Sequence, residues 1–516
     1  MVSTDARLEL LSKSIDLSYA LENDDNILEQ LTYPSRRVDF FVHLYEHQQN
    51  IEATTAYHLG ISSKYCKISE VKEWRHGSFN VCIPVDISNG HYAGKRVLIR
   101  FPLPYKVGES RYPGNADEKL HCEVAAYMWI NQNCPSVPIP KLLGFSFYNN
   151  RTFLLPQSTT FFNRFIWHAR RFLSSLFGTP LPCDYVISGS PHALGYGYIL
   201  LEYIGPSTGK MLSSSWDVHR HDRNRRMNLF KDLSNIMLTL AGSIFPKIGS
   251  LTVDDHGMVQ LENRPLTLRI QHMENEGIPT DIDRRQTYCT SEAYVLDLIR
   301  CHDNKIRFQP NSICDEYDGR AQLATLGIMR TIYSHYLQHA RRNGPFLFSL
   351  TDLHQSNIFV DDDLHIRCII DLEWACLLPV EMIQPPWWLT SRGIDELPEG
   401  EYLKEYDDRR REFIKCFETE EKSLYPKRQP YIADTMNTGW GSGAFWFFQV
   451  LSNPRAVSGL FLDHIQPIYD RTQDLNFDSI VSRYWAPNTE EFIAKKIQDK
   501  MDYDCELKRR FQPPLT

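Results

Sequence analysis

The segment 349–375, SLTDLHQSNIFVDDDLHIRCIIDLEWA, limits the possible folds of this chain more than any other part of the sequence. The apolar run Ile358–Val360 predicts a short strand, the three aspartates after it predict a turn, and 366–370 predicts the returning strand. Such a hairpin brings the residue that follows its second strand, Asp371, back beside the residue that precedes its first strand, Asn357. We therefore expect a carboxylate and a carboxamide to meet at one end of the hairpin.

A second carboxylate belongs to the same segment, because Asp352 lies five residues before Asn357. A phosphoryl-transfer site needs such a set: one carboxylate near the acceptor proton, and oxygen donors for Mg²⁺, which neutralises the phosphates. The spacing D-x-x-x-x-N arises by chance in chains of this length, so its context carries the interpretation. The simpler alternative is a surface hairpin with solvated charges, which does not account for the closing Asp371.

At these residues the sequence resembles the aminoglycoside phosphotransferase and choline kinase-like family, especially its fungal members of unknown substrate. That family's catalytic loop typically reads H-G-D-L-H-x-x-N and is followed by an I-D-W-E type segment. The resemblance implies a two-lobe, protein-kinase-like α+β fold with a small β-rich N-lobe and a larger, mainly helical C-lobe. It implies that Asp352 is catalytic, that Asn357 and Asp371 bind Mg²⁺ and that ATP is the phosphate donor. Glu373 takes the acidic position two residues after Asp371.

The catalytic loop departs from the family pattern at three positions. Leu350 and Thr351 stand where the family often has His and Gly, and Leu372 replaces an aromatic residue. The family's His orients the loop rather than doing chemistry, so these departures bear on geometry more than on mechanism. His354 matches the family's internal His, and its alternative role is that of a loop histidine bonded to the backbone.

The resemblance also implies a glycine turn, a cation on a strand and a glutamate on a helix, upstream of the loop. The chain has all three in that order. The turn in 74–81 offers Gly77 and Ser78 to the phosphates, although an ordinary hairpin would give the same pattern. The alternating run 95–101 predicts a strand that carries Arg100, whose guanidinium suits both phosphate oxygens and a carboxylate partner.

Helical periodicity in 118–130 places Glu123 where it would pair with Arg100. A surface glutamate is the alternative for Glu123, and Lys95 is the alternative for the phosphate-binding cation. The apolar run 198–205 predicts a buried strand that joins the lobes and meets the adenine through its backbone.

Within 198–205, Glu202 and Ile204 are the candidate positions at which the backbone would contact the adenine. A plain core strand would give the same pattern.

The resemblance divides the chain into four parts. We expect an N-terminal helical extension in 1–67, an N-lobe in 68–204 with an insert near 156–186, a C-lobe in 205–480, and a tail in 481–516 that packs on the C-lobe.

Composition excludes several classes of function. Of the 516 residues, 42% are apolar and 23% are charged, which is typical of a globular protein, and the net charge of −8 offers no general basic field for nucleic acid. The 12 cysteines form no C-x-x-C pair. No run of 18 apolar residues predicts a transmembrane segment, and the acidic first 25 residues are unlike a signal or transit peptide. A cytoplasmic location is the expectation.

The segment 161–177, FFNRFIWHARRFLSSLF, interleaves large apolar side chains with arginines and predicts an amphipathic helix. Inside a globular chain such a helix usually docks its apolar face on its own domain, and this is the interpretation we favour. The alternative is a helix on a membrane surface or against a partner protein.

Further helices are predicted for 8–21, 37–45, 216–242, 321–342, 399–422 and 440–451, and a hairpin for 251–261.

The function indicated by these features is ATP-dependent phosphorylation of a hydroxyl group on a small molecule. Acids between 379 and 440 could attract a cationic acceptor such as an aminoglycoside or an amino alcohol, or form a solvated helix face. These acids are Asp395, Glu396, Glu399, Glu401, Asp407 and Asp408. Two other classes stay open: a catalytically impaired pseudokinase that binds nucleotide, and a partner-binding scaffold without nucleotide.

Overall fold

An antiparallel sheet covered by helices is followed along the chain by a larger, mainly helical region. The computed structural model describes residues 6–148, 151–177, 183–189, 194–397, 400–429, 431–453, 457–471 and 476–512.

The N-terminal region is a small hairpin followed by helices. Its elements are β1 (Leu8–Glu9), β2 (Ser14–Ile15), α1 (Leu17–Glu22), α2 (Ile27–Gln30), α3 (Tyr33–Glu46) and α4 (Gln48–Leu59). The predicted helix 8–21 is therefore wrong over its first half. Asp16 explains the late start, because its side chain accepts a hydrogen bond from the backbone N–H of Tyr19 and so caps a helix that begins at Leu17. The helix predicted for 37–45 lies within α3.

The large sheet has eight strands, all paired antiparallel. Residues 66–202 form β3 (Cys66–Ile68), β4 (Arg75–His76), β5 (Asn80–Ile87), β6 (Arg96–Pro102), α5 (Asn115–Asn133), β7 (Leu142–Ser146), β8 (Arg151–Leu154), α6 (Phe161–Phe177), β9 (Val186–Gly189) and β10 (Tyr198–Glu202). The order is β3-β5-β6-β10-β7-β8-β9, and β4 pairs with β5. The last strand in sequence, β10, thus lies in the middle of the sheet, between β6 and β7.

Both faces of this sheet are covered, and alternate residues of each strand reach opposite cores. Tyr198 and Leu200 pack with the core formed under α3 and α4, whereas Ile199 and Leu201 pack with the core formed under α5. Arg100 is the register partner of Ile199 and follows the buried Ile99 of the first core. The alternation therefore turns the Arg100 side chain toward α5.

The region 205–380 alternates helices with short antiparallel sheets. Its elements are β11 (Lys210–Met211), α7 (Trp216–His219), α8 (Arg223–Leu240), β12 (Ile244–Phe245), β13 (Ser250–Val253), β14 (Val259–Asn263), α9 (Leu268–Asn275), α10 (Ser291–Phe308), α11 (Glu316–Ile332), β15 (Phe346–Leu350), β16 (Ile358–Val360), β17 (Ile366–Ile369) and β18 (Ala375–Pro379). The strands form the sheets β11-β16-β17, β12-β15-β18 and β13-β14. The hairpins predicted for 358–370 and 251–261 are confirmed by β16-β17 and β13-β14.

The remainder is helical: α12 (Glu401–Leu424), α13 (Tyr431–Ser442), α14 (Ala444–Ser452), α15 (Val457–Leu460), α16 (Gln466–Tyr469), α17 (Phe477–Val481) and α18 (Thr489–Arg510). The last helix returns to the start of the chain. Tyr503, Leu507 and Phe511 of this region form a small core with the N-terminal segment, and the Tyr503 hydroxyl accepts a hydrogen bond from the backbone N–H of Ile27 at 2.8 Å.

Three predicted helices are interrupted or shifted. The helix 216–242 is split into α7 and α8, because Asp222 caps a new helix with its side chain. The helix 321–342 instead begins at Glu316 and ends at Ile332. The run 440–451 is broken at Gly443, which has a left-handed backbone with φ of 85° and separates α13 from α14. The predicted helix 399–422 corresponds to α12.

The docked position that we favoured for 161–177 is wrong. The segment is helical, as α6, but none of its residues is buried. Phe161, Phe172 and Phe177 are 82%, 68% and 72% exposed. Apolar periodicity predicts an amphipathic helix but does not say what covers its apolar face. Among the described residues, no helix combines the length and the hydropathy required to cross a membrane.

The cysteines are distributed between interior and surface without any disulfide. Eight of the 12 are buried and Cys82 is half-buried, whereas Cys289, Cys314 and Cys505 are exposed. Burial raises the pKa of the Cys66 thiol to about 11 and that of the Cys376 thiol to about 12, which keeps both protonated at neutral pH.

Candidate active site

The loop between β15 and β16 holds Asp352 and Asn357 against each other. The Asn357 side-chain amide donates to the Asp352 backbone carbonyl at 2.9 Å and to Asp352 Oδ2 at 3.2 Å. Thr351 Oγ1 donates to the backbone carbonyl of Trp374 at 2.7 Å, and the Trp388 indole N–H donates to the carbonyl of Leu353 at 2.9 Å. The departure at Thr351 thus supplies a bond that ties the loop to the segment after Asp371.

His354 has a local structural role in this loop. Its Nδ1 lies 3.0 Å from Ser356 Oγ, and its ring stacks on Trp387 with centroids 5.2 Å apart. Burial lowers the pKa of the His354 imidazole, which therefore stays neutral at neutral pH.

Asp352 has an altered acidity. Burial raises the pKa of its carboxyl to about 7, the negative charges of Glu373 and Asp371 add to this increase, and the hydrogen bond from Asn357 opposes it. A carboxylate with a pKa near the working pH is well suited to accept a proton from a hydroxyl group.

Asp371 comes directly after the hairpin. The backbone N–H of Ile370 donates to the carbonyl of Asn357 at 2.9 Å, so the chain passes Asn357 immediately before it reaches Asp371. Asp371 itself has a left-handed backbone with φ of 60°, and its side chain is 35% exposed. A non-glycine residue in this region of the map marks a functional position more often than chance.

Arg100 connects this loop to α5 through a buried group of charges. Its Nη1 lies 2.7 Å from Asp371 Oδ1 and 3.0 Å from Glu123 Oε1. Its Nη2 forms a short ion pair with Glu373. The Arg100 side chain is only 4% exposed, so three carboxylates hold it inside the protein.

Lys119 and Asn80 complete the buried group and were missed in the sequence. Lys119 Nζ lies 2.7 Å from Glu373 Oε2 and donates to Asn80 Oδ1 at 2.7 Å. The Asn80 amide donates to Glu373 Oε2 at 2.6 Å. A signal for Lys119 existed, because it stands four residues before Glu123 on the helix that was predicted to carry Glu123.

The two buried glutamates, Glu373 and Glu123, have pKa values that are shifted in opposite directions. Burial would raise the pKa of Glu373, but Lys119 and Arg100 hold it below its usual value. Burial raises the pKa of Glu123 above its usual value, with Arg100 opposing. Glu373 is therefore the better-compensated anion of the two.

The predicted glycine turn lies at the surface before β5. The backbone N–H of Gly77 donates to the carbonyl of Asn80 at 3.0 Å, and Gly77 and Ser78 are both exposed. A Cβ added at Gly77 would meet nothing within 4 Å, so the described structure gives no steric reason for glycine there. The next residue, Phe79, packs edge-on against Trp374 with centroids 5.1 Å apart, which fixes the turn next to the loop.

The remaining predicted positions lie outside the buried charge group. Glu202 ends β10 three residues after Ile199, the neighbour of Arg100, and its backbone N–H donates to the carbonyl of Lys141 at 2.9 Å. Ile204 is half-buried in the segment that follows β10. Lys95 is exposed at the start of β6, away from the group that holds Arg100.

Two of the six acids expected to attract an acceptor have other partners. Glu396 accepts a hydrogen bond from the backbone N–H of Gly393, and Asp407 pairs with Arg410 and Arg411. Glu399 lies outside the described residues. Asp395 lines a cavity.

This cavity has a volume of about 570 Å³ and opens beside the loop between β15 and β16. Its lining includes Asp352, His354, Trp387 and Trp388. Acidic and basic side chains both contribute to the lining: Asp395, Glu276, Arg269 and Lys305. The charge of the cavity therefore does not select a cationic molecule on its own.

The donor atoms for a metal ion are few. Among the described residues no group of three or more His, Cys, Asp and Glu side chains is placed to hold a metal. Asp371 and the carboxamide oxygen of Asn357 offer two hard oxygen donors. That set suits Mg²⁺, which is usually held by one or two protein oxygens, with phosphates and water filling the other positions.

No family model matches the chain, and no curated protein matches it. Among solved structures it is similar to an ethanolamine kinase from Plasmodium vivax, at 12% sequence identity over 83% of this chain and 85% of that chain, with a TM-score of 0.32. A TM-score of this size is too low to support a functional argument.

Proposed function

We propose that this protein is an ATP-dependent phosphotransferase that phosphorylates a hydroxyl group of a small molecule. One observation carries the proposal: a half-buried carboxylate with a pKa of about 7, Asp352, lines a cavity of about 570 Å³ and lies beside Asn357 and the Arg100–Asp371 pair. Folding alone does not require several carboxylates to lie close together, because buried like charges raise the free energy of the folded state.

Each residue has a distinct role in the proposed reaction. An acceptor hydroxyl in the cavity would donate its proton to Asp352 while its oxygen bonds to the terminal phosphorus of ATP and the bond to ADP breaks. Asn357 fixes the Asp352 carboxylate through its amide N–H and keeps its carbonyl oxygen for the metal. Mg²⁺, held by Asn357 and Asp371, would neutralise charge on the phosphates.

Arg100 has a positioning role in this proposal rather than the direct phosphate contact expected from the sequence. Three carboxylates surround its guanidinium, and its side chain is 4% exposed. It links Glu123 on α5 to Asp371 after the hairpin, so the two parts of the site move together. The site contains four carboxylates, those of Asp352, Asp371, Glu373 and Glu123, but only two cationic side chains, Arg100 and Lys119. This excess of negative charge favours the binding of a divalent cation.

A catalytically impaired nucleotide-binding protein is the second candidate. The observation in its favour is that Arg100 already occupies one oxygen of Asp371 at 2.7 Å, which competes with a metal ion for that ligand.

The deciding experiment measures two quantities on the full chain. ATP affinity is measured by calorimetry with and without Mg²⁺, and ATP consumption is measured over amino alcohols, sugars, aminoglycosides and hydroxy acids. We expect Mg²⁺-dependent binding and a phosphorylated product from at least one class. Binding without any turnover would favour the impaired protein, and no binding at all would overturn both.

A further inference from the structure

Helix α6 displays a continuous apolar surface on one side. At 3.6 residues per turn, its large apolar side chains cover roughly half of the helix circumference. These side chains, together called the Phe face, are Phe161, Phe162, Phe165, Ile166, Phe172, Leu173, Leu176 and Phe177. Seven of these eight are exposed, and Phe165 and Leu176 are 62% and 66% exposed. A contiguous apolar patch that is exposed on a protein surface often marks an interaction site.

The opposite side of α6 is fastened to the protein. The Trp167 indole N–H donates to the carbonyl of Cys183 at 2.9 Å, and Arg164 Nη2 donates to the carbonyl of Gln157 at 2.9 Å. Arg171 forms an ion pair with Asp184. Rolling the helix to bury the Phe face would break all three contacts. The outward orientation of the Phe face is therefore set by the fold.

The charged side chains of α6 itself have one sign. The segment 161–177 contains three arginines, one histidine and no acidic residue, in a chain whose net charge is −8. Arg170 borders one edge of the Phe face and His168 borders the other, and both are exposed. An apolar face with basic edges is complementary to a bilayer that carries anionic head groups.

A second copy of the chain fits this surface less well. Two Phe faces brought together would oppose basic edges without any acidic residue on either helix to compensate. A helix of this length is roughly 26 Å long and 10 Å wide, which covers far less than the roughly 800 Å² per partner of a stable protein interface.

We propose that the Phe face of α6 binds anionic lipid bilayers, with the helix lying in the plane of the membrane interface. Its apolar side chains enter the boundary between head groups and acyl chains, and Arg170 and His168 stay at the level of the lipid phosphates. This surface is separate from the proposed phosphotransferase site, so its test does not depend on turnover.

The test is co-sedimentation of the full chain with vesicles of phosphatidylcholine alone or mixed with phosphatidylserine. We expect binding to the mixed vesicles that weakens in high salt, and weaker binding to the neutral ones. The triple variant F161S/F165S/F172S should lose at least about tenfold in vesicle affinity, because it removes three apolar contacts with the lipid. Its melting temperature should not fall, since all three side chains are exposed.

A matched control replaces three exposed hydrophobic residues elsewhere, V218S/Y317S/Y484S. This variant should bind vesicles as the wild type does. Arg170→Gln should reduce the preference for phosphatidylserine while leaving binding to neutral vesicles unchanged.

Two outcomes would overturn the proposal. One is a wild-type protein that binds neither vesicle, or a triple variant that binds as well as the wild type. The other is a wild-type dimer that the triple variant converts to a monomer without any vesicle binding, which would assign the Phe face to a second copy.

Discussion

Two acidic side chains at the candidate site are held in different ways, and this suggests separate functions. Asp352 is half-buried, its carboxylate accepts a hydrogen bond from the Asn357 amide and its pKa is about 7, whereas the Asp371 carboxylate is paired with the Arg100 guanidinium. Proton acceptance and metal binding should therefore be separable by substitution.

Asp352→Asn removes the proposed proton acceptor and leaves the proposed metal ligands, Asn357 and Asp371, in place. We expect turnover with a verified acceptor to fall by on the order of 10² to 10⁴-fold, while calorimetric affinity for Mg²⁺-ATP is retained. Asp362→Asn is the matched control, because the Asp362 side chain is 89% exposed on the hairpin turn. Unchanged turnover in the Asp352 variant would show that the loop is not catalytic.

Asp371→Asn removes the charge of the proposed metal ligand and keeps a residue type that tolerates the left-handed backbone at this position. We expect the dissociation constant of ATP measured with Mg²⁺ to rise by roughly tenfold or more, because the phosphates lose the cation that bridges them to the protein. Affinity measured in EDTA should change little. An equal loss with and without Mg²⁺ would argue against a metal ligand.

Lys119 is a structural member of the site and should show its importance in stability. Lys119→Met leaves Glu373 and Glu123 buried with one cation fewer, and removing one partner of a buried ion pair costs about 3 to 5 kcal/mol. Urea unfolding measures this loss of free energy of unfolding. Lys72→Met is the control, since Lys72 is 77% exposed and should change stability by less than about 1 kcal/mol.

The sequence predicted the loop better than its surroundings. Asp352, Asn357 and Asp371 belong to one hairpin, so local spacing was enough to expect them together. Lys119 and Asn80 reach the site from 200 residues or more upstream in the chain. The spacing of Lys119 and Glu123 indicates a pair on one helix face but not that the pair is buried, and the local sequence does not distinguish Asn80 from any other strand residue.

Element boundaries in this protein depend on single residues with special roles. Asp16 and Asp222 begin helices by accepting backbone hydrogen bonds, and Gly443 separates α13 from α14. The apolar pattern of 440–451 is continuous through that break, so periodicity alone predicted one helix. For α6 the helix itself was predicted correctly from periodicity. The exposure of its apolar face could not be predicted, because it depends on which parts of the tertiary structure pack against the helix.

Gly443→Ala should destabilise the protein by about 1 to 3 kcal/mol, because φ is 85° and a new Cβ would lie 2.4 Å from Ile468 Cδ1. Thermal unfolding followed by circular dichroism measures the change. Gly441→Ala, two residues earlier in α13, is the matched control, because a Cβ there meets nothing within 4 Å. This control should be neutral or stabilising by up to about 1 kcal/mol.

At the scale of the whole molecule, the candidate site joins the large sheet to the helical region. Arg100 on β6 links Glu123 on α5 to Asp371, which follows β17, so the linked residues span more than 240 residues of chain. A ligand that binds this contact should hold both regions together.

Saturating Mg²⁺-ATP should therefore raise the melting temperature of the full chain. At about 100 times its dissociation constant, a ligand specific for the folded state adds about 2.7 kcal/mol. Asp371→Asn should reduce this shift at the same nucleotide concentration. If the wild type showed no shift, the scaffold hypothesis would be favoured.

Because the cysteines differ in burial, the number of thiols that react with a reagent reports how far the protein has unfolded. A colorimetric thiol reagent should titrate three groups in the native protein, Cys289, Cys314 and Cys505, and all 12 after denaturation. A reaction with more than three but fewer than 12 thiols would show that only part of the protein has unfolded. Cys82, next to Arg100 in the sheet, would show whether the contact between Arg100 and Asp371 had loosened before the rest of the chain.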